Sequence, residues 1–224
     1  MTLAMDAKPF IDDSGISGSR HRLIFRFTVV NIAAFALLAA AYFQGWIGMV
    51  ARSDESYISG GIFIVFLFGW GISVAKVWRI NVELNRLENG QPIAGSWAAN
   101  YLEEIKGRDA ASREIIVTSL RLTLANWISG VRNVAVSLVL LGLIGTVIGF
   151  IIALAGVDPR MAANAGSVVP MVAQLISGMS VALYATLIGS IHNVWLTTNY
   201  HMLNSGAVQL IAAVVARGEA DAGS

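Results

Sequence analysis

Residues 134–155 read VAVSLVLLGLIGTVIGFIIALA, and this stretch decides the fold. It holds twenty-two residues without a charge, enough to cross a bilayer as one helix at about 1.5 Å per residue. Gly142, Gly145, Thr146 and Gly149 recur at i, i+3, i+4 and i+7, so one helical face is nearly bare backbone carrying a single hydroxyl. Gly145 and Gly149 form a GxxxG pair, which admits a second helix at close range where water supplies no hydrophobic drive for association.

The composition of the whole chain points to the same environment. Only 13% of residues are charged, against roughly a quarter in soluble domains, and the mean hydropathy is +0.67. The formal net charge of +1 gives no electrostatic footprint for nucleic acid. With no cysteine there is no disulfide, thiolate metal site or cysteine nucleophile. Scattered His21, His192 and His201 supply no convergent ligand set, so neither metal nor cofactor is expected. Phosphate loops, nucleophile elbows and HExxH patterns are likewise missing, and no enzyme activity is expected.

Taken in order, residues 1–19 read as a polar cytoplasmic tail and 20–217 as one membrane domain, followed by a tail at 218–224. Arg20, Arg22 and Arg26 precede an apolar run at 27–50, read as the first span. A signal peptide is the competing reading, with Ala39–Ala41 as small residues for cleavage, but the run exceeds the roughly 7 to 15 residues of such a segment. A second span follows at 57–77, where Gly60, Gly61, Gly69 and Gly71 suggest a packed helix. Residues 78–130 form a polar helical segment split at Asn89-Gly90-Gln91-Pro92, whose last part is able to run through Trp127 into the third span at 134–155. The fourth span is placed at 168–197 and a final apolar helix at 199–216. The fold class is therefore all-α: a polytopic membrane protein with four transmembrane helices and cytoplasmic helical extensions.

Thirteen of the fifteen Lys and Arg residues fall on one side of this topology, leaving Arg52 and Arg160 opposite. The positive-inside rule then puts both termini and the large loop in the cytoplasm. Tyr42 and Trp46 at the outer end of span one, and Trp78 at the inner end of span two, fit interfacial aromatic belts. Asn31 and Gln174 lie within spans and are expected to hydrogen-bond between helices. The fourth span carries its own stripe at intervals of four, Gly178, Ala182, Thr186 and Ser190. A lone intramembrane threonine is usually a packing residue whose hydroxyl bonds back to its own helix. Two threonines on matching small-residue faces shift the balance towards a shared role.

The pair of motifs, Gly142-Leu-Ile-Gly-Thr-Val-Ile-Gly149 and Gly178-Met-Ser-Val-Ala-Leu-Tyr-Ala-Thr-Leu-Ile-Gly189, resembles the signature of the MotA/TolQ/ExbB proton-channel family. The resemblance covers about residues 135 to 200. It implies a homopentamer in the bacterial inner membrane around a single-span partner of the MotB/TolR/ExbD kind, whose helix bears an ion-binding aspartate. It also implies an ion pathway beside Thr146 and Thr186, with Ser180 and Ala182 on the same motif, and helix packing through Gly142, Gly145, Gly149, Gly178 and Gly189. The implied function is a stator subunit that couples proton or sodium flow to mechanical work. None of the 14 Asp and Glu residues falls in an expected span, so the chain needs a partner's acid for proton relay.

Val181 stands where the TolQ/ExbB branch has a glutamate, and four spans are closer to MotA. The polar segment is short for a motor stator, however, and Val139 and Trp195 replace prolines common in the family. Arg86, Glu88, Glu103, Glu104 and Arg113 in that segment are either a rotor-facing set or a solvated helix face. The reading from a different class is a non-conducting scaffold that clusters a membrane partner through its small-residue faces.

Overall fold

A computed structural model describes residues 22–53, 57–90, 93–155, 157 and 165–222. Six helices make up the described chain: α1 (Arg22–Phe43), α2 (Trp46–Ser53), α3 (Ile58–Glu88), α4 (Trp97–Glu104), α5 (Ala110–Ala155) and α6 (Ala165–Ala222). Four of them, α1, α3, α5 and α6, are long and apolar enough to cross a membrane. The protein is thus an all-α membrane protein. The tails at 1–19 and, in part, at 218–224 lie outside the described residues, as do most of the positions joining α5 to α6.

Chemistry at the helix ends explains where the elements stop. The apolar run expected as one span at 27–50 divides after Phe43, where Gly45 adopts φ 79° and its N–H bonds back to Tyr42 O at 3.0 Å. Only a residue without a Cβ enters that left-handed region freely, so the run becomes α1, a turn, and the short α2. Ser96 caps α4, its Oγ accepting the Ala99 N–H at 3.1 Å. Between α4 and α5 the chain turns at Gly107, φ 71°, so α5 starts afresh at Ala110 and then runs unbroken through Trp127. No such signal lies between residues 197 and 199, and α6 passes through both expected segments, 168–197 and 199–216, as one helix of 58 residues.

Helices α5 and α6 form an antiparallel pair with the most extensive contact in the molecule, and α3 packs across both. At 46 and 58 residues they reach about 70 and 87 Å, well beyond the roughly 30 Å of hydrocarbon. Their far halves join the end of α3 and α4 in a small helical extension around Ile80, Leu84, Tyr101, Ile116, Leu124, Leu203, Leu210 and Val214. Of the four glycines on α3, only Gly69 is packed, against Val134 and Leu196; Gly60, Gly61 and Gly71 face open space. The expectation of a helix packed through all four is corrected accordingly, because the four positions do not share a face.

Helix α1 is held chiefly along Leu23, Phe27 and Asn31, which are its buried residues. Asn31 is the polar centre of this contact. Its Oδ1 accepts from Trp70 Nε1 at 2.8 Å, Trp195 Nε1 at 2.9 Å and Asn199 Nδ2 at 3.3 Å, while its Nδ2 donates to Phe27 O at 2.8 Å and Asn199 Oδ1 at 3.0 Å. One amide therefore ties α1 to both α3 and α6, as an interhelical hydrogen-bonding residue should. Gln174 makes no such bond among the described residues.

Candidate functional site

The centre of the α5–α6 contact is built from missing side chains. A Cβ added to Gly149 would stand 2.5 Å from Ala182 N, and one on Gly178 would stand 2.3 Å from Ala153 N. Gly145 lies against the Ala185 methyl, and Gly189 against Leu138 O and the Gly142 backbone. At these distances any larger residue forces the backbones apart, so the glycines are what let two main chains touch. The facing stripe on α6 is Gly178, Ala182, Ala185 and Gly189, all buried.

This stripe differs from the one read at strict intervals of four. A step of four residues overshoots a helical turn by about 40°, so Gly178 and Ala182 face α5 while Thr186 and Ser190 have rotated to the exposed edge. Ala182 is accordingly a packing residue, 2% exposed, and not part of an open wall. Ala153 and Ala185 are the packing partners that the glycine pattern by itself did not reveal; the spacing 178, 182, 185, 189 was the signal for the α6 side.

The two threonine hydroxyls sit at the edge of this contact. Thr186 Oγ1 donates across the interface to Gly142 O at 3.3 Å. Thr146, one turn further along α5, donates its hydroxyl to Leu143 O at 2.5 Å. Ser180, about 200° round α6 from Gly178, lies off this edge and donates to Ile176 O at 2.8 Å on its own helix. With each proton committed to a backbone carbonyl, the oxygens offer lone pairs outward and act as acceptors. Such an edge suits a cation or a protonated acid, and offers an anion nothing.

Other polar groups are placed apart from it. His192 is buried on the α3 side, with Nδ1 2.7 Å from Ile188 O and its ring 4.4 Å from that of Phe66. Among the described residues no group of three or more His, Asp or Glu is placed to hold a metal. Glu83, buried on α3, accepts the Ala98 N–H at 2.9 Å and so caps α4 from outside it; sequence spacing gave no sign of this role. In the extension a cavity of about 690 Å³ is lined by Leu102, Lys106, Arg113, Arg217 and Asp221 among others. Its charges are largely internal: Arg113 pairs with Glu219 at 3.3 Å and Arg217 with Asp221 at 3.5 Å. Beside it Tyr101 is buried with an unpartnered hydroxyl; burial, and then the charge of Glu219, push its pKa upward against the opposing effect of Arg113. Arg86, Glu103 and Glu104 are exposed.

Fold and site together define a polytopic membrane protein organised on a glycine-locked helix pair with hydroxyls at its edge. The family model for the MotA/TolQ/ExbB proton channel family matches residues 93–215, more than half of the chain, and the protein belongs to that family. No curated protein and no solved structure matches the chain.

Proposed function

We propose that the protein is the ion-channel subunit of a stator complex, coupling proton or sodium flow across a bacterial inner membrane to mechanical work and carrying no enzymatic activity of its own. The supporting observation is the edge of the α5–α6 pair, where the Thr146 and Thr186 hydroxyls spend their protons on the carbonyls of Leu143 and Gly142 within one stretch of α5. Acceptors of this kind solvate a passing cation or a protonated carboxyl but cannot release a proton near neutral pH. The acid has to come from elsewhere, and the reading assigns it to a single-span MotB/TolR/ExbD-like partner held within a homopentamer. Thr146 and Thr186 line the passage; Gly142, Gly145, Gly149, Gly178 and Gly189 set its wall. Both termini are cytoplasmic, following the distribution of Lys and Arg.

The test is gentle detergent purification from the native host through a tag on this chain, then mass spectrometry and reconstitution into vesicles. A co-purifying single-span protein with an aspartate in its helix, and ion flux that requires both chains, are expected. A complex that assembles with its partner yet passes no ion would overturn the channel role in favour of a scaffold.

A further inference from the structure

Lys76 and Arg79 stand one helical turn apart on α3, and among the described residues neither has a carboxylate partner. Lys76 Nζ donates to the carbonyl of Trp127 on α5 and lies 4.9 Å from the centre of that indole. Arg79 Cζ lies 4.6 Å over Trp97 of α4 and 5.7 Å from Trp127. The two indoles meet edge to face at 4.7 Å. Opposite Lys76 stands Gly130, where a Cβ would come within 3.5 Å of Nζ, so the space beside the ammonium is left clear. Two cations are thus gathered on an aromatic frame contributed by three helices, while Trp78, on another face of α3, is 67% exposed.

Depth identifies what meets this frame. From Ile58, where α3 begins beside the exposed Tyr57, to Lys76 the helix rises about 27 Å. That is close to the roughly 30 Å of hydrocarbon, so with Tyr57 at one boundary Lys76 and Arg79 emerge at the other. Tryptophans prefer this level, and cations there meet lipid phosphates. Among the described residues no carboxylate pairs with Lys76 or Arg79, so their remaining N–H groups are available to an outside acceptor.

We propose that Lys76 and Arg79, framed by Trp97 and Trp127, form a headgroup site for one anionic phospholipid in the leaflet at this end of α3. The ammonium and guanidinium bind the phosphodiester, while the tryptophans hold both cations at headgroup depth. The site rests on the membrane fold and not on ion conduction, so its test needs no partner and no flux.

The purified chain is exchanged into an equal mixture of phosphatidylglycerol and phosphatidylcholine, and retained lipid is counted by native mass spectrometry. Phosphatidylglycerol is expected to be retained preferentially, with the preference falling roughly fivefold for each charge removed in Lys76→Gln and Arg79→Gln. Arg121→Gln, exposed on α5 nine residues before Gly130 and so about 13 Å from this level, should leave it unchanged. Equal retention of the two lipids by the unaltered chain, or a preference that survives both substitutions, overturns the site.

A second measurement needs no variant. Brominated phosphatidylglycerol should quench tryptophan emission of the unaltered chain more than brominated phosphatidylcholine, and millimolar inorganic phosphate should not reverse it. Equal quenching, or full reversal by phosphate, overturns the proposal.

Discussion

Thr186 Oγ1 lies 3.3 Å from Gly142 O, a hydrogen bond between α6 and α5 across 44 residues of sequence. The carbonyl is reachable because Gly142 has no side chain; a Cβ there would stand 3.3 Å from the Thr186 Cα. A glycine on one helix and a threonine on the other therefore make a single feature. Thr186→Val keeps the shape and deletes the hydroxyl. We expect assembly to persist, with a loss of about 0.6 to 2 kcal/mol, while ion flux with the partner is abolished; Thr186→Ser should retain flux. Full flux in the valine variant would remove Thr186 from the pathway.

Glycines in the α5–α6 contact should be intolerant in a way that others are not. Gly178→Ala places a methyl 2.3 Å from Ala153 N, and overpacking of this kind costs about 1 to 3 kcal/mol. Gly145→Leu should disrupt the pair outright and change oligomer size on native gels. Gly60→Ala, where nothing lies within 4 Å, should leave thermal stability in detergent unchanged.

Removing Asn31 orphans three donors at once. In Asn31→Leu the Trp70, Trp195 and Asn199 groups lose their shared acceptor, and each unsatisfied buried group costs about 1 to 3 kcal/mol. The expected result is weakened attachment of α1, read as faster cleavage of an engineered protease site at 44–45. The double variant with Asn199→Leu should lose less than the sum, because the two amides bond to each other.

Glu83→Ala removes the external cap on α4, and a loss of about 0.5 to 2 kcal/mol is expected. Glu83→Gln keeps an acceptor for the Ala98 N–H and should recover most of it. The fluorescence of Trp97, at the first turn of α4, reports the difference.

Asp109 precedes α5, and a hydrogen bond from the Ser112 side chain holds its carboxyl below the ordinary value near 3.8. A carboxyl depressed by folding stabilises the native state above its unfolded pKa, and that contribution disappears as pH falls through the folded value. Acid unfolding of the unaltered chain should therefore steepen below about pH 4, and Asp109→Asn should flatten that limb. Identical acid limbs would dismiss the contribution.

Much of the architecture was legible because apolar runs as long as 134–155 have few other outcomes. What escaped was rotational and long-range. Reading α6 at intervals of four put Ala182, Thr186 and Ser190 on one stripe, whereas the true period turns the last two outward and buries Ala185 in their place. Asn31 was recognisable as an interhelical residue, but its donors lie 39, 164 and 168 residues away, and no local pattern encodes them. The turn at Gln44-Gly45 was hidden in an apolar run because one glycine carries the whole signal. The cap that Glu83 places on α4 left no trace in the sequence because its partner is a backbone N–H, which has no letter there.

The unbroken course of α6 has a mechanical consequence. From Thr186 to Gly218 the helix continues for 32 residues, about 48 Å, without a glycine-proline hinge or a turn to absorb bending. A tilt of about 5° at the hydroxyl edge would swing the far end by about 4 Å over that length. Gly218 sits there against Tyr101 and Ile105, so the helix acts as a lever: displacements too small to open a gap beside Thr186 arrive at α4 magnified to the width of a side chain.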